Sequence, residues 1–131
     1  DDVVNIRGHR IGSAEIESTI LKIKNIIEAC VFSVPNELEG NEIVIVVAIK
    51  KNTTNNKKMI NNIIVKNFGN FALPKEIIIL NSLPKTRSGK ILRKILKKIY
   101  LDAECEVKDL STILNKKDLI EFKRIIIKSN Y

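Results

Sequence analysis

Apolar residues at the start of the chain first alternate and then recur with a helical period. Val3–Ile6 is a short β-prone run, Gly8-His9 is a tight connection and Arg10-Ile11 begins the return, so the pattern predicts a β-hairpin. Ser13 is the predicted N-cap of a helix that follows. The apolar residues of that helix recur every three or four positions and are expected to face a core: Ile16, Ile20, Ile23 and Ile27.

The middle of the chain favours a small sheet and a second helix. Residues 28–34 and 42–49 are β-rich runs separated by a turn that contains proline and glycine, which predicts an antiparallel pair. Residues 59–68 carry apolar side chains at helical spacing, and Gly69 is the predicted end of that helix. Glu76–Leu80 reads as a third strand.

The last third of the chain contains a polar loop at residues 84–90, followed by two predicted helices. Lys90 is expected where this loop turns into an amphipathic helix, and residues 117–127 predict a final helix capped by Asn115. The apolar stripe of the first of these helices is Ile91, Leu92, Ile95, Leu96 and Ile99. The whole pattern predicts one α+β domain: a small central sheet of about three strands with helices on its faces, plus an N-terminal β-hairpin.

Charge and cysteine content narrow the range of partners. A net charge of +8, from 23 basic and 15 acidic residues, attracts anions such as nucleotides or nucleic acid. Cys30 and Cys105 have no second Cys or His at ligand spacing, which predicts buried or idle thiols in a reducing compartment and neither a disulfide nor a zinc site. No apolar run reaches membrane-spanning length, so no membrane partner is expected. The chain opens inside a structured pattern, which predicts a piece of a longer protein.

The loop at residues 84–90 is the strongest candidate for chemistry. Pro84 stiffens its start, Gly89 frees its end, and Lys90 offers a compact charge on a flexible stem, suited to a phosphate or a carboxylate. A solvated lysine is the alternative. A phosphate-binding P-loop is rejected, because no Ser or Thr follows Lys90 and the upstream glycine is missing. We therefore expect the anion contact in a neighbouring domain's pocket.

Two further segments are candidates. Gly8, with Arg7 and Arg10 on either side, permits close approach of a narrow or polyanionic ligand, although an ordinary hairpin turn fits equally well. His9 is the only histidine and has no triad partner, so we interpret it as structural. The basic residues between positions 85 and 98 are compatible with nucleic acid, but they lack aromatic stacking residues, which favours a solvated face.

Two separated blocks resemble one family. DDVVNIRGHRIGSAEIES, at residues 1–18, resembles the hairpin motif of adenylate-forming acyl-CoA synthetases, and LPKTRSGKILR, at residues 83–93, resembles their C-terminal catalytic-lysine motif. DLSTIL, at residues 109–114, is similar to the end of the AMP-forming acetyl-CoA synthetases. The resemblance covers essentially the whole chain. It implies the mobile C-terminal lid domain of a ligase whose large N-terminal adenylation domain lies upstream.

The resemblance also implies a reaction and site residues. Acetate and ATP with Mg²⁺ give acetyl-adenylate and pyrophosphate, and coenzyme A then displaces AMP to form acetyl-CoA. Lys90 is implied to contact acetate and phosphate in the first step, and Arg10 to contact the nucleotide phosphates. Gly8 would line the pantetheine channel. Asp1 matches the hinge of the domain swing. Arg7 stands where the family commonly has Ser near the nucleotide end of coenzyme A.

The remaining implied roles concern coenzyme A, metal and regulation. A family arginine that reaches the coenzyme A phosphate falls near Val65, and the adjacent Lys66 is its candidate substitute. Magnesium ligation by backbone carbonyls falls near Leu21, Ile23 and Ile26. Lys90 is implied to be a target of reversible acetylation, which would remove its charge and bring in an acetyltransferase and a deacetylase as partners.

Three alternatives remain open at this point. A ligase for another short acid such as propionate differs only in the absent acyl pocket. A basic nucleic-acid-binding module and a purely regulatory domain, docked by an acetyltransferase or deacetylase, belong to other classes. For the ligase we expect a cytoplasmic location, with a nuclear pool as the alternative.

Overall fold

The computed structural model describes residues 3–38, 40–50, 56–107 and 110–130, and it confirms the α+β class. The predicted hinge residue Asp1 lies outside this range. In chain order the elements are β1 (Val3–Ile6), β2 (His9–Gly12), α1 (Ser13–Ile20), β3 (Ile26–Asn36), β4 (Gly40–Ile49), α2 (Asn56–Phe68), β5 (Glu76–Leu80), α3 (Arg93–Leu101) and α4 (Lys116–Ser129). Single 3-10 turns occur at Asn70–Ala72 and Leu110–Thr112.

The central sheet has the strand order β3-β4-β5, and β1 and β2 form a separate hairpin. Strands β3 and β4 are antiparallel, with Val31 opposite Ile45, as the sequence predicts. Strands β4 and β5 are parallel, with Val46 opposite Ile78. Parallel neighbours need a crossover connection, and α2 lies in this one.

Two apolar cores cover the two faces of this sheet, because successive side chains of a strand point to opposite sides. We call the first the hairpin layer: it contains the buried residues of β1, β2, α1 and α2. The second, the lysine layer, contains those of α3 and α4. Strand β4 supplies both, with Ile43, Ile45 and Val47 in the hairpin layer and Val44, Val46 and Ala48 in the lysine layer.

Helix α1 departs from the sequence prediction at both ends. Strand β2 runs directly into the helix through an extended Gly12, so that Ser13 is the first helical residue and not its cap. The Ser13 side chain is buried, and its Oγ has no hydrogen-bond partner among the described residues. The helix ends at Ile20. Ile27 therefore lies in β3 at a register shift and is 57% exposed, whereas Ile23 is buried as expected.

The helices of the second half also begin away from their predicted positions. Helix α2 starts at Asn56, before the predicted Met59, and ends at Phe68. Gly69 follows it as the predicted stop, and its N–H donates to the carbonyl of Val65. Helix α3 starts only at Arg93. Asn115 does precede α4, but its side chain makes no capping bond, because it is directed to the loop before α3.

Candidate functional site

The lysine loop, residues 84–92, is a narrow turn closed by hydrogen bonds across its base. The N–H of Thr86 donates to the Lys90 carbonyl at 2.9 Å, and the N–H of Lys90 donates to Thr86 Oγ1 at 3.2 Å. The N–H of Gly89 donates to the Thr86 carbonyl at 2.9 Å, and Gly89 has a φ of 92°, a conformation that favours glycine. Thr86 and Ser88 therefore close the turn, and the Lys90 side chain is exposed at its end.

Lys90 stands in this turn and not at a helix start, which corrects the sequence prediction. Ile91 pairs with Lys85 as an antiparallel bridge, and Leu92 precedes α3. The backbone is extended here because the N–H of Leu92 donates to the carbonyl of Pro84. The apolar stripe that begins at Ile91 nevertheless packs into the lysine layer as expected.

The second candidate segment, the hairpin turn, is exposed and open. Arg7 and Gly8 both have positive φ, 48° and 83°, which is the geometry of a tight hairpin turn. A Cβ atom added at Gly8 would meet nothing within 4 Å. Arg10 is exposed on β2 opposite Asn5, whose carbonyl accepts from Asn41 Nδ2 at 3.0 Å. The hairpin is therefore fixed to β4, and the space next to Gly8 is open.

His9 and the end of α2 join the hairpin side. The His9 ring stacks on Phe71, with centroids 4.0 Å apart and planes at 19°. Phe71 lies in the turn that follows α2, and Lys66 is exposed in the last turn of that helix. The stacking brings the segment after α2 against the hairpin, so the exposed Lys66 and Gly8 both lie on the side of the sheet that the hairpin layer covers.

The two candidate segments lie on opposite faces of the sheet. The hairpin contributes Val4, Ile6 and Ile11 to the hairpin layer. The lysine loop and its base contribute Leu83 and Ile91 to the lysine layer. The sheet therefore separates the two cores that support the two segments.

The predicted metal-ligating carbonyls lie in the connection from α1 to β3. The carbonyl of Ile23 accepts the N–H of Ile26 at 3.1 Å, and Leu21 is exposed. Backbone oxygens are a ligand type that Mg²⁺ accepts, so the donor chemistry of Leu21, Ile23 and Ile26 fits. Within the described ranges, no cluster of three or more His, Cys, Asp or Glu residues could hold a metal.

Two members of the basic segment at positions 85–98 are turned inward. Lys85 Nζ lies 2.9 Å from Glu28 Oε2, and Arg93 Nη2 lies 2.5 Å from Glu17 Oε2. Cys30, beside Arg93, is fully buried, and burial first and the Glu17 charge second raise the pKa of its thiol to about 12. The sequence analysis did not predict the acidic partners of Lys85 and Arg93. A signal for Glu28 was present, because it is an acidic residue at the start of an otherwise apolar strand.

A family model for the AMP-binding enzyme C-terminal domain matches residues 15–90, more than half of the chain. The chain belongs to this family. The matched range of this AMP-binding enzyme C-terminal domain begins in α1 and ends at Lys90. Both the central sheet and most of the lysine loop therefore fall inside it.

Relatives of this AMP-binding enzyme C-terminal domain are long synthetases. The acetyl-coenzyme A synthetase 1 of Debaryomyces hansenii is 39% identical over 119 residues, which is 88% of this chain and 18% of the relative. The acetyl-coenzyme A synthetase of Emericella nidulans is 40% identical over 116 residues, 86% of this chain and 17% of the relative. The chain thus spans less than a fifth of the relatives it matches.

A solved structure supports the fold independently. The crystal structure of an acyl-CoA synthetase from Brucella canis superposes with a TM-score of 0.70 and 30% identity, over 80% of this chain and 20% of that one.

Among the residues that the structure describes, no helix has the length and apolar character needed to cross a membrane.

Proposed function

We propose that this chain is the mobile C-terminal domain of an AMP-forming acetate–CoA ligase. The observation that carries the proposal is the placement of an exposed Lys90 and an open Gly8 on opposite faces of one sheet, in a chain that is 39% identical to an acetyl-coenzyme A synthetase. In the longer protein, an upstream adenylation domain would supply the acetate and adenine pockets. The domain by itself would then be inactive.

In the first half-reaction, the acetate carboxylate attacks the α-phosphorus of ATP, and pyrophosphate leaves. Mg²⁺ bound with ATP would neutralise the phosphates. Lys90 enters the site at the end of its turn and contacts the carboxylate and the phosphate. The charge of Lys90 offsets the negative charge that develops on the phosphoryl oxygens. The loop orients the Lys90 ammonium before the reaction begins. Arg10, on the hairpin, contacts the nucleotide phosphates when the hairpin faces the site.

In the second half-reaction, the thiolate of coenzyme A attacks the acetyl carbonyl, and AMP leaves. The domain turns about the hinge at Asp1 and presents the hairpin, where Gly8 lines the pantetheine channel. Arg7 and Lys66 approach the phosphates at the nucleotide end of coenzyme A. The carbonyls of Leu21, Ile23 and Ile26 are the proposed metal ligands. One domain thereby serves two steps through a conformational change.

The proposal also covers regulation, cellular location and the acid that the ligase uses. Acetylation of Lys90 by an acetyltransferase would remove the charge needed for adenylation, and a deacetylase would restore it. The protein acts in the cytoplasm, with a nuclear pool as the alternative. Acetate is favoured over propionate because the two synthetases described above, to which this chain is similar, are named for acetyl-coenzyme A. The nucleic-acid alternative is weakened because Lys85 and Arg93 are paired internally.

The deciding experiment separates the two half-reactions in the ligase that carries this domain. Lys90→Ala should abolish ATP–pyrophosphate exchange with acetate but leave thioester formation from supplied acetyl-adenylate. Lys117→Ala, at an exposed position near the start of α4, is the matched loss of charge and should alter neither. Equal loss of both half-reactions in Lys90→Ala would remove Lys90 from this role. Comparison of acetate with propionate in the same exchange assay tests which of the two acids the ligase prefers.

A further inference from the structure

Lys85 is held at every hydrogen-bonding group it has. Its backbone N–H donates to Asn115 Oδ1 at 2.9 Å, and its carbonyl accepts the N–H of Leu114 at 2.8 Å. Its Nζ lies 2.9 Å from Glu28 Oε2 and donates to Ser82 Oγ and the Leu83 carbonyl, each at 2.8 Å. Such complete engagement distinguishes Lys85 from a solvated lysine, whose long side chain keeps its rotamer freedom.

The partners of Lys85 also bind one another. Glu28 Oε1 accepts the N–H of Leu83 at 3.1 Å, and Asn115 Nδ2 donates to the Leu83 carbonyl at 2.7 Å and to Ser82 Oγ at 3.0 Å. We call these five residues, Glu28, Ser82, Leu83, Lys85 and Asn115, the anchor. The side chains of Lys85 and Glu28 are only 19% and 21% exposed, so loss of one charge would leave the other poorly solvated.

The anchor determines where the tip of the lysine loop lies. Lys85 pairs with Ile91 across the base of the loop, and Thr86, the next residue, binds the backbone of Lys90 in both directions. A second bridge joins Thr86 to Ile113. The path from the anchor to Lys90 therefore consists of paired backbone. A displacement of Lys85 would move the Lys90 backbone, from which the side chain with its ammonium extends.

We propose that Lys85 is a positioning residue for adenylation: it touches no substrate and sets the place of Lys90 through the anchor. The inference rests on the proposed function and deepens it. Misplacement of a reacting group by about 1 Å costs on the order of 100-fold in rate, so the anchor governs the step that needs Lys90. The thioester step, which uses the opposite face of the sheet, does not depend on it.

The test is Lys85→Met in the full-length ligase, with Lys117→Met as the control that removes the same charge from an exposed position. We expect the kcat of ATP–pyrophosphate exchange to fall about 10- to 100-fold with little change in the KM for ATP. Thioester formation from supplied acetyl-adenylate should stay within about twofold of the wild type. Lys117→Met should match the wild type in both assays.

A second variant separates positioning from loss of stability. Lys85→Met with Glu28→Gln removes both charges and leaves no unpaired carboxylate, so the melting temperature should recover relative to Lys85→Met alone. Adenylation should stay low, because the clamp on the loop is still missing. Recovery of adenylation together with stability, or an equal loss of both half-reactions in Lys85→Met, would overturn this proposal alone. A wild-type ligase that forms no acetyl-adenylate would overturn the proposed function and this proposal with it.

Discussion

Arg93 of α3 and Glu17 of α1 form an ion pair that joins the two layers around the edge of the sheet. The Arg93 Nη2 to Glu17 Oε2 distance is 2.5 Å, and the same Oε2 accepts the N–H of Val31 in the edge strand β3 at 2.7 Å. Arg93 follows Lys90 by three residues, and Glu17 lies on the helix that follows the hairpin. This pair therefore connects the helices next to the two candidate segments.

Removal of the Arg93 charge should destabilise the domain. Arg93→Met leaves the Glu17 carboxylate, which is 14% exposed, without its cation, and we expect the free energy of unfolding to fall by about 1.5–3 kcal/mol. Urea unfolding followed by circular dichroism measures this. Arg124→Met is the control, because its partner Glu121 is an exposed neighbour on the same helix, and no measurable loss is expected. Similar losses in both variants would contradict the bridging role.

A side chain at Gly8 should block the thioester step and spare adenylation. Gly8→Leu places a bulky group in space that is open in this domain, at a φ of 83°, so we expect thioester formation from acetyl-adenylate to be lost and pyrophosphate release to remain. The measurement is the pair of half-reaction rates in the full-length ligase. If pyrophosphate release falls as far as thioester formation, Gly8 does not line the channel.

The strain of a positive φ needs its own control. Gly40 has a φ of 85°, close to that of Gly8, and is the first residue of β4. Gly40→Leu should lower the free energy of unfolding by about 1–2 kcal/mol, as Gly8→Leu should, since a non-glycine residue is strained at a positive φ. Its thioester rate should nevertheless stay near the wild type. Loss of thioester formation in both variants would trace the Gly8 effect to strain.

The sequence predicted the sheet because β-rich runs between clear turn residues leave few alternatives. Helix ends were predicted less well, because they depend on tertiary packing that no local signal reports. Serine is a residue type typical of helix N-caps, but Ser13 directly follows β2 and its side chain is buried in the core. Ile91 lies at helical spacing from the apolar residues of α3, but its pairing with Lys85 keeps its backbone extended.

The candidate site shows the same division. Lys90 and Gly8 could be found because each is bracketed by local turn chemistry. The anchor could not, because Glu28 precedes Lys85 by 57 residues and Asn115 follows it by 30. Contacts between residues so far apart in the chain are made only by the fold, and a single sequence read by itself carries no signal for them.

Stability should fall at alkaline pH because of Cys30. The pKa of its thiol is raised from 9.0 to about 12, so above pH 9 the unfolded chain loses this proton while the folded chain keeps it. The unfolded state then binds fewer protons, and each further pH unit lowers the free energy of unfolding by up to about 1.4 kcal/mol until the folded thiol titrates. Below the unfolded pKa this contribution does not change.

The comparison of two alanine variants isolates this effect. Cys30→Ala should lose the steep fall between about pH 9 and 10, below the range where Tyr100, whose pKa is also raised by burial, adds its own loss of stability. Cys105→Ala, at a partly exposed position, should keep the fall. Urea unfolding across this range, under reducing conditions, gives both slopes. Equal slopes in the wild type and Cys30→Ala would show that Cys30 does not govern the alkaline limb.

The domain should bind duplex DNA weakly, if at all, despite its net charge of +8. Lys85 and Arg93 are held by Glu28 and Glu17, which interrupts the basic segment and leaves fewer cations to displace counterions from phosphates. Fluorescence anisotropy with a labelled duplex, titrated at several salt concentrations, measures this. Glu17→Gln releases Arg93 and should raise affinity only slightly. Tight binding with a steep dependence on salt would instead favour the nucleic-acid-binding alternative over the ligase domain.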